Sequence, residues 1–218
     1  MLKPLQIVKI AIAGWRLVKD PNRLDDVIQI ADDLGHGPSI DDILVHVRQQ
    51  PGGLDVLRAK ARVRVDLRHL RTLPAGTFGA EVARFLDQRK LDPDDLPHRD
   101  APDDSSWLRA HLFETHDLWH VATGFDTDVP GEAGLQAFYM AQFPARLAPV
   151  LLAIVFVNTF MYRFDEKVAR MDAITRGWQL GKAAAPLLGV RWDDLWHLST
   201  AEVRTRLKLP VEPLRAAA

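Results

Sequence analysis

The chain has 218 residues, 47% hydrophobic and 26% charged, a balance that excludes wholesale disorder and fits one domain. Its 28 basic and 29 acidic residues leave a formal charge of −1, so bulk charge gives no ground for a nucleic-acid partner. There is no cysteine, which excludes disulfides, thiolate metal sites, iron–sulfur clusters and cysteine nucleophiles.

From Met1 to Lys19 the chain carries Lys3, Lys9, Arg16 and Lys19 and no acid, with Leu5, Val8, Ile12 and Trp15 at helical spacing. Lysines interrupt the apolar run and no small-residue cleavage site follows, which argues against a secretory signal. The stretch reads either as a terminal helix packed on the core or as a basic amphipathic helix lying on an anionic membrane surface. Asp20-Pro21 is expected to cap and open a helix through Leu24, Val27, Ile28 and Ala31, which ends at Leu34-Gly35-His36-Gly37-Pro38. Ser39, with Asp42 as capping-box partner, opens the next, which carries Ile40, Ile43, Leu44 and Val47 and stops at Pro51-Gly52-Gly53.

The stretch Leu54–Leu73 is ambiguous. Arg62-Val63-Arg64-Val65-Asp66-Leu67-Arg68 alternates like a strand, whereas Leu57, Leu67 and Leu70 suit a helix. A helix is expected, because no second strand is available for pairing. Pro74-Ala75-Gly76 breaks the chain, and Thr77 caps a helix through Val82, Phe85 and Leu86. Leu91–Ser106, rich in Pro, Asp and Ser, reads as a long loop. Helices are then expected over Trp107–His120, Pro130–Phe143, Leu147–Tyr162, Asp172–Ala184, Trp192–Trp196 and Thr200–Leu209.

The segment LAPVLLAIVFVNTFMY, Leu147–Tyr162, is uncharged. It falls short of the roughly 20 apolar residues that a bilayer span needs. It suits a buried core helix, or one that lines an apolar ligand tunnel or dips into the lipid interface. The chain is therefore expected to be all-α, a single-domain bundle of roughly eight to ten helices, with residues 1–72 as its N-terminal helical part.

One cluster carries chemistry: Glu114-Thr115-His116-Asp117-Leu118-Trp119-His120. On a helix, His116 and His120 share one face about one turn apart, which lets two neutral imidazoles hold one metal ion. Asp117 can add an oxygen or orient a histidine. Eleven residues separate His120 from Glu132, which returns to the pair if the Val121–Val129 connection turns the two helices antiparallel. Otherwise Glu132 is an ordinary first-turn acid. Two histidines with one or two carboxylates suit zinc, manganese or iron(II) with an open position.

Other chemistries are weaker. A zincin wants Glu directly after its first histidine, where this chain has Asp117. An all-α metal-dependent phosphohydrolase of the His-Asp class needs a further histidine and a distant aspartate, for which His69, His98 and Asp172 are candidates without context. Ser39, Ser105, Ser106 and Ser199 look like helix caps, and His197 reads as a packed or surface residue.

The string His116-Asp117-x-x-His120, eleven residues, Glu132 resembles the signature of the COQ-four family of ubiquinone-biosynthesis proteins. The upstream segment Leu73-Pro74-Ala75-Gly76-Thr77-Phe78-Gly79, leading into Arg84-Phe85-Leu86 and Leu91-Asp92-Pro93, is similar to the family. So are Gly131-Glu132, Gly177-Trp178-Gln179-Leu180-Gly181-Lys182, Pro186-Leu187-Leu188-Gly189-Val190 and Glu202-Val203-Arg204-Thr205-Arg206-Leu207. The resemblance spans residues 73–209. It implies that His116, Asp117, His120 and Glu132 form a divalent-metal site. Zinc is the ion expected foremost, with Asp117 or Glu132 as proton acceptor or ligand. It implies an all-α fold holding a polyprenyl chain in an apolar tunnel, a homodimer, and association with the membrane surface and with other quinone-biosynthesis enzymes.

The activity implied is removal of the ring carboxylate of a polyprenylated hydroxybenzoate, coupled to hydroxylation at that carbon. A non-catalytic lipid-binding scaffold is the alternative. No mitochondrial presequence precedes the domain, so a bacterial member is expected, cytoplasmic and peripheral on the inner membrane.

Overall fold

The structure, a computed structural model, describes residues 4–34, 38–93 and 100–211. The expected break at Gly35-His36-Gly37, the candidate His98 and both chain ends lie outside the described residues. Within these bounds the chain is all-α, with no strand. Its helices are α1 (Pro4–Lys19), α2 (Leu24–Leu34), α3 (Pro38–Gln49), α4 (Gly53–Ala59), α5 (Leu67–Leu70), α6 (Phe78–Arg89), α7 (Asp104–Thr123), α8 (Val129–Gln142), α9 (Leu147–Tyr162), α10 (Lys167–Ala183) and α11 (Thr200–Arg206). The ambiguous Leu54–Leu73 stretch yields two short helices instead of one, and the helix expected over Trp192–Trp196 is a 3-10 turn over Trp192–Leu195. The described residues divide into two compact units, those up to 47 with 126–182, and those of 48–125 with 183–211.

In the first unit, Ala13 and Leu17 of α1 pack with Ile30 and Leu34 of α2, and Leu151 and Ile154 of α9 close over them. The buried face of α1 is therefore Ala13, Gly14, Leu17 and Val18. The stripe Leu5, Val8, Ile12 and Trp15 expected from its period lies outside, each residue about half exposed or more. The chain offered α1 two apolar stripes. The one with Ala13 and Gly14 goes inward because small residues let α9 come close: the Cβ position of Gly14 lies 3.4 Å from Ile154 Cδ1.

Asp20 does not cap α2. It accepts the Asn22 backbone N–H at 3.1 Å in a turn that delays the helix to Leu24. Ser39 lies inside α3, and Asp42 pairs with Arg146 instead of closing a capping box. The apolar face Ile40, Ile43, Leu44 and Val47 is buried as its spacing predicts.

Helix α9 has the expected limits, yet only Ala148, Leu152 and Asn158 are buried, so it is no buried core helix. Against it, α8 contributes Ala133 and Ala137. Helix α10 begins earlier than Asp172, at Lys167, after a tight 3-10 turn over Phe164–Glu166.

In the second unit, residues 60–66 belong to neither a helix nor a strand. Helix α4 ends at Lys60 in the left-handed conformation, φ 44°. Beyond it, two side chains of α7 anchor the segment: Trp107 Nε1 donates to the Ala61 backbone carbonyl at 3.0 Å, and the Arg62 guanidinium donates to both Glu114 carboxylate oxygens. Thr77 caps α6 through the Ala80 N–H, and Ser199 with Glu202 forms the capping box of α11. Phe78 stacks between Trp192 and Trp196, at ring separations of 5.5 and 5.9 Å.

His111 of α7 is fully buried, stacked on Trp107, and its Nε2 accepts the Gly189 N–H at 3.1 Å. Burial pushes its imidazole down from 6.5 to about 4. The unfolded chain takes up a proton near pH 6.5 that the folded protein refuses until pH 4. Stability from this group is thus complete above about pH 6.5 and falls by about 3 kcal/mol as pH drops to 4. Urea midpoints across this range should fall less steeply for His111→Gln than for the wild type. Parallel curves would contradict the assignment.

Candidate metal centre

The helix that carries the histidines is built by strong end signals. Asp103 caps α7 by accepting the Ser106 N–H at 2.8 Å, and the Ser106 hydroxyl answers the Asp103 N–H. At the other end, Gly124 takes φ 77°, where L side chains are strained, and stops the helix. Arg204 donates to the carbonyls of Ala122 at 3.0 Å and Val121 at 3.2 Å, fixing the last turn. Asp128 then caps α8 through the Gly131 N–H at 2.8 Å, with Pro130 in the first turn. The turn is tight enough that a Cβ on Gly131 would sit 2.1 Å from Asp126 O. Only glycine fits there, and the next residue is Glu132.

The ligand atoms of His116, His120 and Glu132 lie within 4.8 Å of one another. His120 is buried and the other two are half-buried. His120 Nδ1 stands 3.2 Å from Phe125 O. A carbonyl only accepts, so this nitrogen carries the proton, and in the neutral ring Nε2 presents a lone pair. That Nε2 faces the Nε2 of His116 at 3.2 Å. Two nitrogens at about 2.05 Å from a tetrahedral zinc would be about 3.3 Å apart, so the pair has metal-ligand spacing without rearrangement. The His120 ring is held from the side by Phe85, stacked at 5.6 Å, and the Arg89 guanidinium lies 3.8 Å over Phe85. Two imidazoles and one carboxylate are a set that can hold a divalent metal ion and leave positions open for a substrate.

Of the four residues expected, three come together. Asp117, half-buried and next to His116 on α7, is not one of the three grouped ligands. Glu114, two residues before His116, is committed to Arg62, whose guanidinium it holds above its ordinary pKa. Two of the phosphohydrolase candidates do not join the cluster: the ring of His69 meets that of His197 at 6.1 Å, and Asp172 sits exposed on α10.

Sequence reasoning missed Phe125 O, Phe85 and Arg204 as supports. A backbone acceptor leaves no mark on residue identity, although Gly124 signals the reversal that presents it. Phe85 was legible as an apolar helix position and as part of the family-like segment Arg84-Phe85-Leu86, but not as a support of His120.

The profile of the family described as Coenzyme Q (ubiquinone) biosynthesis protein Coq4 matches residues 2–213. The chain is 28% identical over 201 residues to the mitochondrial ubiquinone biosynthesis protein COQ4 homolog of Xenopus tropicalis, covering 89% of this chain and 70% of that one. The human COQ4 homolog is 26% identical over 200 residues, covering 89% of this chain and 74% of its own. A crystal structure from Nostoc punctiforme, of a protein provisionally described as a ubiquinone biosynthesis protein, superposes with a TM-score of 0.79 at 30% identity. That match covers 91% of this chain and 96% of the other.

Proposed function

The chain belongs to the Coq4 family of coenzyme Q (ubiquinone) biosynthesis proteins, and on that premise we propose that its metal centre serves oxidative decarboxylation at the aromatic head of a polyprenylated hydroxybenzoate. The observation that carries this reading is the grouping of His116, His120 and Glu132 within 4.8 Å. These three residues would hold the ion, zinc foremost, with manganese or iron(II) compatible with the same donors. When bound, the ion supplies Lewis-acid polarisation of the substrate's carboxylate.

The remaining work falls to the chain itself. Phe125 O keeps the proton on His120 Nδ1 and so keeps Nε2 available. Phe85 fixes the plane of that ring. Asp117, half-buried beside His116, is proposed as the proton acceptor at its carboxylate or as a further oxygen ligand. The prenyl tail is proposed to run along α9, whose sixteen residues carry no charge and which packs on Ala133 and Ala137, next to Glu132. An apolar tail needs such a lining, because its exposure to water costs about 25 cal/mol per Å².

Conversion of a prenylated hydroxybenzoate to carbon dioxide and the ring hydroxylated at the same carbon, with dioxygen supplied as the two-electron oxidant and followed by mass spectrometry, is the test. Wild type should turn over, and His116→Ala should be inactive with an unchanged helical circular dichroism spectrum. Retained turnover in a metal-free His116→Ala protein would overturn the reading.

A further inference from the structure

A small cavity in the second unit, about 150 Å³, shares no residue with the metal centre. Its wall includes Ala61, Arg62 and Val63 from the segment after α4, and Arg191, Trp192 and Asp193 at the 3-10 turn Trp192–Leu195. Trp192 is fully buried, and its indole N–H meets no acceptor. An indole nitrogen only donates, and buried donors are almost always paired, because their lost hydration is otherwise uncompensated. The ring is stacked on Phe78 at 5.5 Å and cannot turn to find a partner. The carbonyl of Ala61 already accepts Trp107 Nε1 at 3.0 Å.

The charged groups of the wall favour an anion with a single charge. Arg191 donates through Nε to Asp194 Oδ2 at 2.9 Å, and its two Nη groups bond nothing among the described residues. Arg62 is forked on Glu114, so that pair is neutral. Asp193 is the acid in the wall. Burial raises its carboxyl above the ordinary range, and the Trp196 side-chain N–H that it accepts opposes this. What the cavity offers is therefore one neutral N–H in need of an acceptor and one guanidinium edge. A carboxylate has two oxygens in a plane and can give one to each. A phosphate dianion would meet Asp193 with twice the charge. Ala61 and Val63 suit the apolar body of an organic acid. The volume, well below the ~300 Å³ at which pockets for drug-sized ligands begin, limits that acid to a small one.

We propose that this cavity binds a small monocarboxylate, held by the Trp192 indole N–H and the Arg191 guanidinium. The ligand is a second one, separate from whatever the metal centre acts on, so the inference does not rest on the proposed function. The 3-10 turn that carries both donors is fixed in place: the Gly79 N–H donates to Trp196 O at 3.0 Å and the Phe78 N–H to Leu198 O at 2.7 Å. The site is thus formed before the ligand arrives, which spares the ordering cost of binding.

Nuclear magnetic resonance of the full chain with isotope-labelled indole nitrogens tests it, with sodium benzoate as probe and benzamide as its neutral isostere. The Trp192 indole resonance, identified by its absence in Trp192→Phe, should move downfield and saturate with benzoate and stay in place with benzamide. Trp192→Phe keeps a ring to stack on Phe78 and deletes the donor, whereas Arg191→Gln alters an exposed side chain. Each should weaken benzoate binding in calorimetry at least tenfold, the loss expected of one hydrogen bond to a charged group. If Trp192→Phe does not fold, Arg191→Gln and the benzamide comparison decide the matter by themselves. His116→Ala should bind benzoate as wild type does, which separates this site from carboxylate binding at the metal centre. Indole resonances unmoved by benzoate would overturn the proposal and leave an ordered water as the acceptor of Trp192. Equal shifts with benzamide or with inorganic phosphate would overturn it by removing the selectivity for a carboxylate. Binding lost in His116→Ala and kept in Arg191→Gln would overturn it in favour of the metal centre.

Discussion

Gly177→Ala is expected to destabilise the protein by about 3 kcal/mol, the upper end of what overpacking a tight contact costs. The Cβ position of Gly177 lies 1.9 Å from Gly134 O and 2.7 Å from Gly134 C, both backbone atoms of α8. No rotamer change can relieve such a contact, so α10 has to move away from α8. One turn further along, Gly181 meets Phe138 O at 2.7 Å in the same way. Alanine's advantage in helix propensity, about 1 kcal/mol over glycine, opposes this and is too small to win. Gly14→Ala is the control: its nearest neighbour is the end of a flexible isoleucine at 3.4 Å, so there the propensity gain should leave stability equal or higher. Denaturant midpoints for the two variants should move in opposite directions, and a wild-type midpoint for Gly177→Ala would contradict the packing described.

Gly131→Ala is expected to act on the metal centre rather than on the helices. Its Cβ would meet Asp126 O at 2.1 Å and Asp126 N at 2.8 Å. The turn must open, and the residue carried with it is Glu132. Displacement of a supporting group around a metal typically lowers affinity about 10–100-fold, and loss of the carboxylate from the cluster should reach the upper part of that range. Competition against a chelator, with Glu132→Gln alongside, measures this. Equal metal affinity in Gly131→Ala and wild type would show that Glu132 is not a ligand.

Much of this site was legible because each part has a local cause. Four-residue spacing on a helix brings His116 and His120 to one face. Asp128 and Pro130 announce the helix that carries Glu132, and α8 begins within a residue of where they place it. The charges at Arg146 and Arg163 bracket α9 to the residue. What failed depended on choices that a single segment does not determine. Helix α1 had two apolar stripes, and packing on α2 and α9 decides between them. Residues 62–68 alternate like a strand, yet residues 60–66 join neither a helix nor a strand, and Trp107 and Glu114, some fifty residues away in sequence, anchor Ala61 and Arg62 instead. The acceptor for His120 is a backbone carbonyl, invisible in any residue type.

Elemental analysis of the purified chain beside His120→Ala addresses the central claim most directly. The account predicts about one divalent metal ion per wild-type chain, and loss of that ion in His120→Ala while circular dichroism stays helical. Metal retained in the variant, or none bound by either protein after exposure to zinc, manganese and iron(II), would contradict it.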